Sequence, residues 1–223
     1  MTSLIVYIGW SATFSTILQF MSGILICRKY FLKKSTSESS GFPFICGMLS
    51  CSLWLQYGFL TDDNVLITVN SVGTVLMLFY VLSYYIFTVN KQSYIRQFLI
   101  AFIILLSVIL YTRQEDDLAL KQNVIGYVCC CVTVTFFGSP LSQLFQVIKT
   151  RSTEFLPFPL IVCSFIVSLQ WFIYGVLMDD VFIEIPNFLG CLLSSVQLGL
   201  FVCYPPKGFT GPSYKLLDNA VFS

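Results

Sequence analysis

The sequence predicts an all-α membrane protein of seven transmembrane helices, laid out as two parallel three-helix repeats joined by an inversion linker helix. Three observations lead there: a composition too apolar for a water-facing surface, seven apolar runs of spanning length, and an internal duplication. Of 223 residues, 57% are hydrophobic and 10% charged, with mean hydropathy +0.83. A soluble domain carries about 25% charged residues, so this surface must face lipid. Twelve basic residues nearly cancel eleven acidic ones, which gives no reason to expect a nucleic-acid partner. With no histidine, His-based catalysis and His metal sites are excluded; no catalytic residue, metal or cofactor is expected. The nine cysteines lie in or at the ends of apolar runs and read as small hydrophobes.

A bilayer core about 30 Å thick takes about 20 apolar residues of helix. Seven runs qualify: Leu4 to Cys27, Phe42 to Leu60, Asn64 to Thr88, Tyr94 to Thr112, Asn123 to Ile148, Leu156 to Met178 and Val181 to Tyr204. The first run has no basic segment before it and no small-residue cleavage signal, so it reads as a retained span. Ten of the twelve basic residues fall in the loops after spans one, three, five and seven, while Asp62, Asp63, Glu115, Asp116, Asp117, Asp179 and Asp180 fall in the others. Basic loops stay cytoplasmic, which places the N-terminus outside and the tail from Pro205 inside. The plasma membrane is the expected location, with the Golgi or another internal membrane as the alternative.

The halves superpose with an offset of 117. Ile8-Gly9 matches Ile125-Gly126, Ser22 matches Ser139, and Ser35-Thr36 matches Ser152-Thr153. Trp54-x-x-Tyr57-Gly58 matches Trp171-x-x-Tyr174-Gly175, Asp62-Asp63 matches Asp179-Asp180, Asn70 matches Asn187, and Gly73 matches Gly190. Phe42-Pro43-Phe44 slips to offset 114, against Leu156-Pro157-Phe158. The expected units are residues 1–90 (first repeat), 91–122 (span four and an outer loop), 123–204 (second repeat) and 205–223 (tail). Span four has no counterpart; its one extra crossing leaves both repeats pointing the same way, a known transporter plan with the solute held between them.

This plan, with Lys149-Thr150-Arg151-Ser152-Thr153-Glu154-x-x-Pro157-Phe158, Trp171-x-x-Tyr174-Gly175 and Ile185-Pro186-Asn187-x-x-Gly190, resembles the SWEET sugar transporters, and specifically an animal member, over residues 2–204; that family is itself an instance of the parallel-repeat plan. The resemblance implies a facilitative, bidirectional uniporter that moves a monosaccharide such as glucose by alternating access. The alternative is a carrier of another small solute such as an amino acid, as in PQ-loop-like relatives, although their Pro-Gln dipeptide is Pro43-Phe44 and Pro157-Phe158 here. The partners implied are a small-molecule sugar, membrane lipid and further copies of the chain as a dimer or trimer.

A sugar presents hydroxyls and C–H faces, and a carboxamide can donate to and accept from hydroxyls without a counter-ion. Asn70 and Asn187 are therefore the natural pair. A lone intramembrane Asn reads equally as a helix–helix hydrogen bond, worth about 0.6 kcal/mol; symmetry and the resemblance both point to sugar binding. Trp54 and Trp171 precede them by 16 residues. By position they suit an interfacial belt as well as a pocket; the resemblance makes them the pocket walls, and two Trp favour a monosaccharide over a disaccharide. The resemblance also implies an outer gate of Tyr57 with Asp180, and of Tyr174 with Asp63, against the plain alternative of four loop-end side chains facing water. Pro43, Pro140 and Pro157 become three corners of a hinge tetrad at the inner gate. At the fourth corner, Gly23 matches Pro140 by offset, and Leu25 stands where animal relatives place Pro. Glu184 is the single acid within reach of a span, with Ile67 as its repeat equivalent; with no partner charge, it gives little handle for proton coupling.

Overall fold

The computed structural model describes residues 2–36, 39–154 and 156–204. The expected tail at 205–223, with Lys207 and Lys215, lies outside the described residues. Among the described residues there are eight helices: α1 (Thr2–Lys33), α2 (Phe42–Thr61), α3 (Asn64–Phe87), α4 (Lys91–Gln114), α5 (Leu118–Thr135), α6 (Gly138–Thr150), α7 (Phe158–Met178) and α8 (Val181–Cys203). The described residues contain no strand. Helices α5 and α6 together make one span, so the described chain has seven helical stretches long and apolar enough to cross a membrane.

The break in the fifth span has a local cause. Pro140 has no N–H to offer the Phe136 carbonyl, and its ring crowds that carbonyl. The helix tightens instead: Phe136 and Phe137 donate their N–H groups three residues back, to Thr133 and Val134, and the ladder resumes with Leu141 bonding Phe137. Span one has no such break, and α1 runs unbroken past Gly23. Pro43 and Pro159 occupy the first turns of α2 and α7, and Pro157 sits immediately before α7. A helix start loses no bond to proline, because its N–H groups have no intrahelical partner.

The other helix ends repeat in pairs. Asp62 and Asp179 close α2 and α7 in the left-handed conformation (φ 54° and 56°), and Lys34 and Arg151 do the same after α1 and α6 (φ 53° and 50°). Asp63 and Asp180 then cap α3 and α8. An Asp before a helix satisfies N–H groups that would otherwise be orphaned, so each Asp-Asp pair ends one helix and starts the next.

Within the first repeat α3 packs against both α1 and α2; in the second, α8 packs against α5, α6 and α7. The repeats meet through α1 on α7 and α2 on α5, and α4 lies on α2. The principal partner of α6 is α8, so the basic-loop half of span five belongs to the second repeat and does little to bind it to the first. Glycines allow the tight crossings: a Cβ at Gly58 would stand 3.1 Å from the Ile67 nitrogen, and one at Gly175 2.7 Å from the Glu184 nitrogen.

Candidate functional site

A cavity of about 420 Å³ lies between the repeats, within the usual size of small-molecule sites. Asn70, Asn187, Trp54, Trp171 and Pro43 all line it. No charged side chain does so among its described lining.

Each Asn is held by its own helix. Asn70 Nδ2 donates to the Leu66 carbonyl at 2.9 Å, and Asn187 Nδ2 to the Ile183 carbonyl at 2.7 Å. One N–H is spent, while the second N–H and the carbonyl oxygen of each amide have no partner among the described residues. Two carboxamides of fixed orientation thus offer both donors and acceptors to one cavity.

The tryptophans are fixed across the repeat interface. Trp54 Nε1 donates to Thr133 Oγ1 at 3.1 Å, and Trp171 Nε1 to Thr16 Oγ1 at 2.8 Å. Thr16 and Thr133 are themselves 117 apart, so the two bonds are reciprocal. Thr16 Oγ1 in turn donates a hydrogen bond to the Ala12 carbonyl at 2.7 Å, which leaves its oxygen free to accept. The sequence reading did not single out these threonines; the repeat offset contained the signal, but two hydroxyls in an apolar span stand out only when their partners are known.

Beyond the tryptophans each repeat adds a tyrosine and reaches an aspartate of the other. Trp54 packs edge-on against Tyr57, and Trp171 against Tyr174, both at 5.6 Å between centroids. Tyr57 Oη donates to Asp180 Oδ2 at 2.8 Å, and Tyr174 Oη to Asp63 Oδ2 at 2.9 Å. The other oxygen of each carboxylate is already committed: Asp63 Oδ1 accepts from Val65 and Leu66, and Asp180 Oδ1 from Phe182 and Ile183. One carboxylate therefore caps a helix and latches the opposite repeat.

At the other end, Gln19 Nε2 donates to Ser164 Oγ at 3.1 Å, bridging α1 to α7. Gln19, Phe136 and Phe137 line this cavity and also a second one that lies between α1 and the second repeat. Pro140 and Pro157 line the second cavity. Gly23 and Leu25 line neither: a Cβ on Gly23 would stand 2.4 Å from the Tyr80 ring, and Leu25 is 63% exposed. Glu184 is half-buried in the first turn of α8, outside both linings. Among the described residues no three His, Cys, Asp or Glu side chains gather as metal ligands. Cys129, Cys130 and Cys131 point to three environments: buried, half-buried and exposed.

A duplicated bundle of seven spans, with an uncharged cavity between its halves and cross-repeat latches at one end, has the build of a membrane carrier. The family model described as a sugar efflux transporter for intercellular exchange matches residues 6–92 and again 123–208. The chain is 54% identical over 213 residues to the sugar transporter SWEET1 of Drosophila pseudoobscura pseudoobscura, covering 95% of this chain and 94% of that protein. It is 38% identical over 197 residues to the sugar transporter SWEET1 of Caenorhabditis elegans, covering 87% of this chain and 64% of that longer protein. A solved structure of a eukaryotic SWEET transporter superposes with TM-score 0.79 at 26% identity, over 90% of this chain and 96% of that one. The chain belongs to the SWEET family.

Proposed function

We propose that this protein moves a monosaccharide such as glucose across its membrane as a facilitative uniporter, in either direction. The observation that supports the reading most strongly is the cavity itself: two half-satisfied carboxamides and two cross-braced tryptophans, with no charge among them. A zwitterionic amino acid would give up the hydration of two charges and find no opposite charge in return, which is a heavy penalty in low dielectric. A sugar needs only amides for its hydroxyls and flat rings for its C–H faces. The same lack of charge leaves no group in the cavity lining to couple transport to an ion gradient.

In this reading the residues act in sequence along the path. Asn70 and Asn187 hold the solute, and Trp54 and Trp171 flank it. The bonds of Tyr57 to Asp180 and Tyr174 to Asp63 close the outer mouth, so the described conformation faces the cytoplasm. Because the fifth span is broken at Phe136–Phe137, α6 can swing with Pro140 toward the first repeat when the outer mouth opens, with Pro43 and Pro157 at the helix starts nearby. Loop charge supports an orientation with the N-terminus outside, and the plasma membrane remains the proposed location. Dimers or trimers belong to the same reading, but each chain has its own cavity, so transport needs no second copy.

The test is uptake by the full chain in liposomes. Radiolabelled glucose should equilibrate with no ion gradient, and sucrose and neutral amino acids should compete poorly. Uptake that requires a proton gradient, or a preference for amino acids, contradicts the proposal.

A further inference from the structure

The second cavity is as large as the first, about 420 Å³, and the two meet at Gln19, Phe136 and Phe137 beside the break in span five. Its polar lining consists of amides and hydroxyls, with no charged side chain: Gln19, Gln143, Ser164, Ser168, Ser194 and Gln197. Ser194 and Gln197 are only 6% and 4% exposed, yet neither side chain has a hydrogen-bond partner among the described residues. Their polar atoms open onto the cavity rather than being sealed from it, so an unpaired carboxamide there can serve a ligand that both donates and accepts.

The first repeat shows how the space arose. Under the 117-residue offset Gln197 corresponds to Tyr80 and Ser194 to Met77. Tyr80 is fully buried, bonds the Phe20 carbonyl at 2.9 Å and packs on Gly23. Where the first repeat has a ring, the second has a carboxamide, and the fifth span is broken just before Pro140. The chamber is therefore one-sided: apart from Gln19 of α1, its lining comes from the second repeat.

We infer that this chamber is a second binding station for a neutral polyhydroxylated solute, in series with the first, with Gln197 and Ser194 as ligand-binding residues. An ion finds no counter-charge there. A sugar leaving the first cavity past Gln19 and the two phenylalanines meets six amide and hydroxyl groups at the moment it would otherwise lose those of Asn70 and Asn187. The inference rests on the sugar-carrier reading and adds to it a stop on the path with its own residues.

The experiment counts sites. The full chain in lipid nanodiscs is dialysed to equilibrium against radiolabelled glucose, and tryptophan fluorescence is followed in parallel; Trp54 and Trp171 line the first cavity and neither lines the second. Wild type should bind two glucose molecules per chain. Gln197→Leu with Ser194→Ala should bind one and keep the fluorescence response, which also reports that the variant is folded. Gln143→Leu, which alters the chamber from α6, should weaken the second site alone. Asn70→Ala with Asn187→Ala should bind one and lose the response. One glucose per wild-type chain with an intact response means water fills the chamber, and overturns the second station alone. Two sites surviving Gln197→Leu with Ser194→Ala also overturn it. A wild type that binds no glucose overturns the carrier reading and this inference together.

Discussion

Tyr80 on α3 and Gln197 on α8 hold the same place in their repeats, and one fills a space that the other leaves open. The contrast continues along the same ends of the helices: Gly23 lies in an unbroken α1, whereas Pro140 follows the break between α5 and α6. At the opposite ends the repeats agree closely. The Trp–Thr bonds, the Tyr–Asp latches, the capping aspartates and the left-handed helix ends at Asp62 and Asp179 all come in pairs 117 residues apart. A duplicated chain can thus keep one end as a symmetric clasp while the other diverges, and the second repeat has gained the weak point and the empty volume.

If the clasp is symmetric, matched substitutions should have matched costs. Asp63→Ala and Asp180→Ala each remove a helix cap, about 0.5–2 kcal/mol, and a hydrogen bond to a charged group, about 1.5–3 kcal/mol. Each should lower stability in detergent unfolding by about 3 kcal/mol, and by amounts similar to each other. A large loss from one with none from the other would break the comparison. Tyr57→Phe and Tyr174→Phe separate the latch from the cap and should cost less.

Gly73 and Gly190 sharpen the difference between repeats. A Cβ at Gly73 would lie 2.7 Å from both Cys51 Sγ and the Phe20 ring, whereas at Gly190 it would meet the Ser168 hydroxyl at 2.6 Å and Phe137 only at 3.8 Å. Overpacking costs about 1–3 kcal/mol. Gly73→Ala should fall high in that range and Gly190→Ala low, because a serine hydroxyl can rotate away, whereas a Cβ at Gly73 would crowd a ring and a sulfur at once.

Thr16→Val and Thr133→Val each delete one neutral hydrogen bond to an indole, worth about 1 kcal/mol. Both should weaken glucose-dependent tryptophan quenching several-fold while leaving the latches closed. The smallest effect is expected at Cys130, whose thiol donates to the Phe182 carbonyl at 3.3 Å. Pro186 cannot bond that carbonyl. In the first repeat Val69 stands in place of Pro186, α3 runs on unbroken, and Thr13, the equivalent of Cys130, keeps a buried hydroxyl without a partner. Cys130→Ala should lower stability by about 0.5 kcal/mol, and Thr13→Val should not lower it at all.

The spans and the pairing of positions were legible because both are written in pattern: hydropathy gives the helices, and the fixed offset says which residues are equivalents. Asn70 and Asn187, Trp54 and Trp171, and the Tyr and Asp residues at the loop ends all came from that offset. What pattern could not give was departure from symmetry. Pro140 was visible, but a membrane helix tolerates proline with or without a break, so the gap at Phe136–Phe137 needed coordinates. The proline at the second position of α7 is Pro159, in the register of Pro43 in α2, while Pro157 precedes the helix; a three-residue slip in the alignment hid this. The open space beside Gln197 was invisible because it arises from a missing ring, and absence has no sequence signature.

The most direct measurement is glucose binding by the full chain in nanodiscs, read from Trp54 and Trp171, for wild type, Asn70→Ala and Asn187→Ala. Each substitution removes neutral hydrogen bonds worth about 1–1.5 kcal/mol, so each should weaken binding about tenfold, and by similar factors since the residues are equivalents in one cavity. Binding that is unchanged by either substitution would contradict the account.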